Sequence, residues 1–340
     1  MRILKIDYRR PSLKKIKDAA QIIKHGGLVA FPTETVYGLG ADALNAQAVS
    51  KIFKAKGRPL KVPLIIHIAD KNDIFTLAKD VPGQAVELIK IFWPGPLTLV
   101  LKKSDIVPGI ISAGLNTVAI RMPKNSIALN LIKYAGTPIA APSANLFGRP
   151  SPTCAAHVID DLEGRIDMVL DGGVTEIGVE STVLDMTHTP FRVLRPGGIS
   201  VKALKNVLGE VEINTGKNRI ICSPGMLAHH YSPEAKLLLV EKSKEQIKEM
   251  KKLALKFKKQ GKNVGIMTTS ENQSKFNGFN IKVTGSSSDL KTCAFNLFSV
   301  LRSFDKEKTD TIIAEGIKPQ GLGLTIMDRL RKASDKRIIK

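Results

Sequence analysis

Cysteine is scarce in this chain of 340 residues. Cys154, Cys222 and Cys293 stand far apart, with no paired spacing of the metal-knuckle or redox kind. A disulfide framework and a cysteine-built metal site are thereby excluded as organising features, and buried thiols in a reducing compartment are the simpler account. Long apolar runs are also missing: no stretch approaches the roughly 20 residues a membrane span needs. The opening MRILKIDYRRPSLKK has neither the apolar centre nor the small-residue cleavage site of a secretory leader, so a cytoplasmic location with no membrane partner is expected. Aromatic residues make up only 5%, which argues against a stacking platform for single-stranded nucleic acid. Low-complexity segments and fixed-period repeats are absent as well.

What the chain has in excess is positive charge. Lys and Arg number 52 against 31 Asp and Glu, a formal net charge of +21. Such a balance favours anionic partners, whether nucleotides, RNA or acidic surfaces, without choosing among them. Part of the excess is diffuse: EKSKEQIKEMKKLALKFKKQGK, residues 241–262, reads as a solvated helix face. The length and a hydrophobic fraction of 43% point to two domains with real cores.

Helix and strand patterns alternate along the chain. Apolar residues Ile16, Ala19, Ala20, Ile22 and Ile23 predict a helix over 12–25, stopped by Gly26-Gly27 and followed by a strand at 28–31. PTETVYGLGADA then leads into a helix over 46–54, and 63–68 reads as a buried strand carrying His67 near its end. A helix over 70–92, a turn at Trp93-Pro94-Gly95-Pro96, the strand LTLVLKK, the strand TVAIRMP ending near Arg121, a helix over 126–134 and the strand PIAAPSAN continue the alternation. The expected domains are 1–215, a connector at 216–235 with a fixed rather than flexible path, and 236–340. In the last, strands at 236–240, 263–269, 280–284 and 311–315 alternate with helices such as 290–304.

The chemistry-bearing residues cluster at strand ends. Lys56-Gly57-Arg58 is a compact pair of cations able to grip phosphate, although on a polar loop such residues are more often solvated surface. Ser143-Ala144-Asn145 and the run from Gly148 to Thr153 offer hydroxyls, an amide and backbone N–H groups. Asp171-Gly172-Gly173, Val179-Glu180-Ser181 and Arg195-Pro196-Gly197 mark further strand edges. His67 reads equally as a satisfied core histidine. The glycine turn opening GLGLTIMDRLRKAS, 321–334, serves to cap a helix rather than to bind an anion. No Ser-His-Asp or Cys-His arrangement stands out.

Taken in order, PTETVYGLG, KGR with PLIIHIAD, TVAIRMP, APSANLFGRPSPT, DGGVTEIGVESTVLD and VLRPGG resemble the YrdC-type L-threonylcarbamoyladenylate synthases. That family's paired signature, Lys-x-Arg then Ser-x-Asn, is met by Lys56, Arg58, Ser143 and Asn145. SPGMLAHHYSP and GLGLTIMDRLRKAS resemble the connecting loop and the end of the extension in the longer form, so the likeness covers about 26–334. It implies an α/β fold with a large twisted mixed sheet of the YrdC type plus a smaller Rossmann-like α/β C-terminal domain. The implied reaction takes L-threonine, bicarbonate or CO2, and ATP as a substrate, with Mg²⁺ carried on the ATP, to L-threonylcarbamoyladenylate and pyrophosphate. The product would pass to a tRNA threonylcarbamoyl transferase, with weak tRNA binding by the chain itself.

The resemblance assigns Lys56 and Arg58 to catalysis. It assigns Lys56, Arg58, Val62, Thr117, Ser143, Asn145, Ser151, Arg195 and Tyr231 to ATP, and Thr35, His67, Arg121, the backbone at Ala141, and Ser181 to L-threonine. No metal ligand is assigned. Val62 stands where members often carry Asn, leaving at most a backbone contact, and Phe147 stands where a small residue is common. His67 is expected to orient the substrate rather than to deprotonate it, and the connector to fold over the pocket and lay Tyr231 near ATP. Two rival readings are a basic RNA-binding or ribosome-associated module without catalysis, and a carbamoyl-transfer enzyme using carbamoyl phosphate.

Overall fold

The computed structural model of the protein describes residues 1–214 and 230–338, the side chains of Lys336 and Arg337 excepted. These residues divide into two compact units, 1–147, 152–176 and 180–214 in the first and 148–151, 177–179 and 230–338 in the second.

The first unit contains strands β1 (Arg2–Lys5), β2 (Val29–Phe31), β3 (Gly38–Asp42), β4 (Ile65–His67), β5 (Ala78–Lys79) and β6 (Leu97–Lys103). It continues with β7 (Thr117–Arg121), β8 (Ile139–Ala140), β9 (Met168–Asp171), β10 (Thr182–Asp185), β11 (Phe191–Arg195) and β12 (Val211–Ile213). They form one sheet in the order β1-β9-β2-β3-β8-β4-β7-β6-β10-β11-β12, with β5 pairing β6 from the side. The sheet is mixed: β4 runs parallel to β7 but antiparallel to β8, and β6 runs antiparallel to β7 but parallel to β10. Its helices are α1 (Leu13–Lys24), α2 (Ala46–Lys56), α3 (Asp73–Leu77), α4 (Gly83–Phe92), α5 (Ser126–Ala135), α6 (Ala155–Leu162) and α7 (Val201–Leu208).

Local chemistry explains where these elements begin and end. α1 buries Ile16, Ala19, Ala20 and Ile23 at helical spacing, as its sequence pattern requires. α2 starts at Asn45, whose side chain accepts from the Gln47 and Ala48 N–H groups, and stops at Gly57, which takes the left-handed conformation at φ 62°. The helix therefore runs through Lys56, two residues beyond the expected end. Gly57 is needed for its positive φ rather than for lack of bulk, since an added Cβ would meet nothing within 4 Å.

Two expectations are corrected. The single helix over 70–92 is two, because Pro82 forces an extended approach, and Ala78–Lys79 leaves the helix to pair with Lys103 and Lys102 of β6. Of PIAAPSAN, a regular strand forms only at Ile139–Ala140, with a single isolated bridge from Ser143 to Gly38 beyond it, since Pro142 has no N–H to offer a continuous ladder. The short edge elements β1 and β12 and the helices α6 and α7 carried no pattern strong enough to be read beforehand.

The second unit is a five-stranded sheet of β13 (Lys236–Val240), β14 (Val264–Thr268), β15 (Asn280–Val283), β16 (Thr311–Glu315) and β17 (Lys336–Ile338), ordered β15-β14-β16-β13-β17. Every pairing is parallel, with α8 (Gln246–Lys259), α9 (Leu290–Lys306) and α10 (Leu322–Ala333) supplying connections, which is the Rossmann-like arrangement the resemblance implies. β13, β14 and β16 read as near-continuous apolar runs because they are buried, all five residues of β14 and of β16 among them, whereas β15 (NIKV) is half-buried throughout. Of the connector expected at 216–235, residues 216–229 lie outside the described residues, and so does most of the fold-over expected of it.

Candidate functional site

The last residue of α2 reaches the loop after β8. Lys56, 2% exposed, donates from Nζ to the carbonyl oxygen of Ser143 at 2.5 Å and to that of Asn145. The two halves of the Lys-x-Arg and Ser-x-Asn signature, nearly ninety positions apart, are thus one hydrogen-bonded unit. Phe147 N–H closes the same turn on the Lys56 carbonyl at 2.9 Å. Lys56 is consequently a buried, fixed cation and not the solvated surface residue that a polar loop would more often make it.

Arg58 is buried too, at 7% exposure. Its Nη2 donates to Pro63 O at 2.9 Å and to Val62 O at 3.3 Å, Nε also reaches Val62 O at 3.3 Å, and the guanidinium lies 5.7 Å from the Phe147 ring centroid. A two-bond phosphate grip through that edge would have to displace these carbonyls. Val62 turns its side chain into the core, gives its N–H to Pro59 O at 3.2 Å and its carbonyl to Arg58.

A second cluster sits where β2 hands over to β3. The Thr33 hydroxyl donates to Val36 O at 2.6 Å, so at the 2.8 Å contact between the two threonine hydroxyls the proton comes from Thr35. Thr35 Oγ1 also accepts from Arg121 Nη2 at 3.0 Å, which leaves it able only to accept from a further group. Arg121 ends β7 and lies beside His67 of β4 in the ladder register. Its Nη2 is 2.8 Å from Glu34 Oε2, an ion pair whose side chains are only 5% and 2% exposed. Although close, the Glu34 oxygens receive no aligned hydrogen bond among the described residues. His67 meets Phe31 edge-on at 6.4 Å between ring centres. Burial first, and the neighbouring Arg121 second, push the imidazole pKa down to about 3, so it is neutral near pH 7.

Tyr37 fastens this loop to the Asp171-Gly172-Gly173 turn. Its hydroxyl donates to Gly173 O at 2.7 Å and accepts from Gly172 N at 3.2 Å, and burial keeps it protonated.

The third cluster joins β10 and β11. Arg195 donates from Nη2 to the carbonyl of Ser181 at 2.9 Å and to its hydroxyl at 3.1 Å, while Thr98 of β6 contacts that hydroxyl at 2.8 Å. Gly197 permits the approach, because a Cβ there would stand 2.3 Å from the Ser181 and Thr182 backbone.

Of the remaining residues singled out from sequence, Thr117 opens β7 half-buried, and Ala141 gives its N–H to Ile65 O at 2.9 Å. Ser143 bridges to Gly38 in the backbone ladder. Asn145 is buried, with its amide nitrogen donating to Leu146 O at 2.6 Å. Ser151 and Tyr231 belong to the second unit, Ser151 fully buried. There the Tyr231 ring stacks on Phe298 at 5.4 Å beneath the Arg329 guanidinium at 5.1 Å, and its backbone takes φ 65°.

Sequence reasoning passed over Glu34 and Thr98, and read Gly197 only as part of a turn at a strand edge. A lone carboxylate inside PTETVYGLG was the available signal for Glu34, and the glycine after Arg195-Pro196 for Gly197. Thr98 reads as ordinary strand filling.

Lys56, Arg58, Arg121 and Arg195 are all cations with single-digit exposure, an arrangement suited to holding anionic groups away from water. Residues 21–197 match the family model described as telomere recombination, and residues 199–335 match the model for the threonylcarbamoyl-AMP synthase C-terminal domain. The chain is 49% identical over 331 residues to the threonylcarbamoyl-AMP synthase of Pyrococcus abyssi, covering 96% of each. It is 47% identical over 330 residues to that of Bacillus subtilis, covering 96% of this chain and 94% of the other. The crystal structure of P. abyssi Sua5 complexed with L-threonine superposes with a TM-score of 0.95 at 46% identity, covering both chains fully. With its signature pairs joined and these likenesses running nearly end to end, the chain belongs to the threonylcarbamoyl-AMP synthase family, in its long form.

Proposed function

We propose that the chain forms L-threonylcarbamoyladenylate and pyrophosphate from L-threonine, bicarbonate or CO2, and ATP. The threonine amine is carboxylated, a carbamate oxygen attacks the α-phosphorus of ATP, and pyrophosphate leaves. This chemistry needs no nucleophile from the protein. It needs a fixed field of positive charge and a seat for a small zwitterion.

The observation that carries the reading is the Lys56 ammonium locked between the Ser143 and Asn145 carbonyls, which presets one cationic wall. Lys56, Arg58 and Arg195 would oppose the phosphate charge that develops at adenylation, with Thr117, Ser143 and Asn145 as polar neighbours of the nucleotide and Val62 acting through the Arg58 it holds. The resemblance adds Ser151 and Tyr231 to that set. In the threonine seat, Arg121 would take the carboxylate, as its planar fork matches two oxygens. Because the Ala141 N–H is engaged by Ile65, Ala141 would offer its carbonyl to the ammonium. Thr35 and Ser181 would read the substrate hydroxyl, Thr35 as an acceptor. A site built to bond that hydroxyl rejects valine more strongly than a merely shaped apolar pocket. A neutral His67 would orient the substrate.

The wider assignments rest on the same reading. Residues 1–215 are the catalytic domain, 216–235 the connector and 236–340 the extension. Mg²⁺ arrives on the ATP phosphates, and the product goes to a transferase acting on the tRNA adenosine beside the anticodon. Weak tRNA contact by the basic surface and a cytoplasmic setting belong with it; among the described residues no helix is long and apolar enough to cross a membrane. The test is pyrophosphate release. It should require ATP, threonine and bicarbonate together, with carbamoyl phosphate unable to replace bicarbonate and threonine. RNA binding without such release would overturn the reading.

A further inference from the structure

Glu34 has no role in the scheme so far, yet its setting demands one. It is a carboxylate 2% exposed whose oxygens are sealed from solvent, and neither receives an aligned hydrogen bond among the described residues. A buried carboxylate held by one ion pair alone is expensive, and most such groups gather several donors. Its partner is Arg121, Nη2 to Oε2 at 2.8 Å. Arg121 is also the group proposed for the substrate carboxylate, and Thr35, next in the chain to Glu34, receives a hydrogen bond from the same nitrogen at 3.0 Å.

An adjacent cation and anion form a template of reversed polarity for an amino-acid zwitterion: the guanidinium faces the carboxylate and the carboxylate faces the ammonium. The reaction imposes a further demand. An ammonium has no lone pair and cannot attack carbon, so a base must remove a proton before carboxylation. The ionisable neighbours on the adjoining strands are Arg121 of β7, paired with Glu34, and His67 of β4, which lies beside Arg121 in the ladder. His67 is neutral near pH 7, whereas Glu34, ion-paired with Arg121, offers the negative charge that draws an ammonium to it.

We propose that Glu34 pairs with the threonine ammonium and takes its proton. The inference rests on the synthase reading above. One N–H bond breaks with its electron pair remaining on nitrogen, an O–H bond forms on Glu34, and the freed amine bonds to the carbon of CO2, whose C=O π electrons move to oxygen while the second N–H proton goes to solvent; with bicarbonate the C–OH bond breaks instead and the hydroxyl leaves as water with that second proton. The proton on Glu34 then passes to solvent when product leaves.

The experiment measures pyrophosphate release by the full chain as kcat/KM for threonine from pH 6.5 to 8.5, in wild type, Glu34→Gln and Glu34→Asp. Taking each variant as a ratio to wild type cancels the pH dependence of bicarbonate supply and ATP ionisation. Glu34→Gln should fall by at least about 100-fold at pH 7, the usual scale for a lost general base. Its ratio should then climb about tenfold per pH unit as solvent takes over removal of the ammonium proton. Glu34→Asp, which keeps the base, should stay within about tenfold of wild type at a pH-independent ratio. Should Glu34→Gln not fold, a flat Glu34→Asp ratio combined with recovery of Glu34→Ala activity by added formate supports the role, and absence of that recovery overturns it. A Glu34→Gln ratio that is constant with pH, or within threefold of wild type, also overturns it while leaving the synthase reading intact. Wild type releasing no pyrophosphate would instead sink both.

Discussion

Arg195 grips Ser181 at two points, its Nη2 lying 2.9 Å from the carbonyl oxygen and 3.1 Å from the hydroxyl, and Nε adds a second bond to the carbonyl at 3.2 Å. A residue assigned to the nucleotide is therefore bonded directly to one assigned to threonine.

The carbonyl contacts do not depend on the serine side chain, so Ser181→Ala and Arg195→Ala should differ in kind. Ser181→Ala loses a hydroxyl that Thr98 and Arg195 position, and threonine KM should rise about tenfold, the scale of one hydrogen bond, with ATP KM nearly unchanged. Arg195→Ala strips the carbonyl of its partner and removes a cation proposed to face phosphate, so both KM values should rise and kcat should fall. Steady-state kinetics with each substrate varied separates the patterns; a similar ATP KM increase in both variants would refute the distinction.

Gly197 should tolerate nothing larger. The Cβ of an alanine would sit 2.3 Å from both Ser181 C and Thr182 N and 2.5 Å from Glu180 O, all backbone atoms that cannot swing aside. Gly197→Ala should cost about 1–3 kcal/mol in urea unfolding, as overpacking of rigid surroundings does, and should depress kcat/KM by moving Arg195. Gly57→Ala makes a useful contrast. There the added methyl meets nothing, and the penalty, about 1 kcal/mol, comes from the positive φ alone.

The parts of this molecule legible in its sequence were those where residue type and position depend on local rules. Helix α1 and the strands of the second sheet follow from apolar spacing, and β13 and β16 were bounded to the residue. The identity of the signature residues was visible as well, but not how they meet. Nothing in a one-dimensional pattern says that Lys56 would bond the carbonyls of Ser143 and Asn145, since backbone acceptors leave no trace in residue type. Glu34 was hidden because its meaning depends on Arg121, which lies 87 positions away and reaches it only when β7 and the loop after β2 share one sheet. Strand β5 was misread as helix because its pairing with β6 outweighs the helical preference of its residues.

Lys56 is expected to matter to the fold as well as to the chemistry. Removing its ammonium leaves the Ser143 and Asn145 carbonyls short of a donor, and each buried unsatisfied group costs about 1–3 kcal/mol. Lys56→Ala should lower the urea midpoint and reduce kcat/KM at least about 100-fold. Lys56→Arg keeps the charge in a bulkier planar head that cannot occupy the same enclosed seat, so it should recover stability only in part and activity poorly. A Lys56→Ala protein with wild-type stability would contradict the bridging role.

His67 offers the clearest dependence on pH. Its unfolded pKa is about 6.5, whereas in the folded protein burial and Arg121 lower it to about 3. Between those values the unfolded chain binds a proton that the folded one refuses. The stability contributed by the neutral ring is thus intact above pH 6.5 and is lost progressively as pH falls toward 3, with a slope approaching about 1.4 kcal/mol per unit. Gln has no such equilibrium. From pH 7 to pH 5 the wild type should lose about 2 kcal/mol more unfolding free energy than His67→Gln, read from urea titrations at the two values. At pH 7.5, where the ring is neutral in both states, the same variant should keep most of its kcat and show a raised threonine KM, as loss of a ground-state contact requires. Equal acid sensitivity of the two proteins would mean that the ring is reached by solvent, and loss of kcat at saturating threonine would restore His67 as a candidate base.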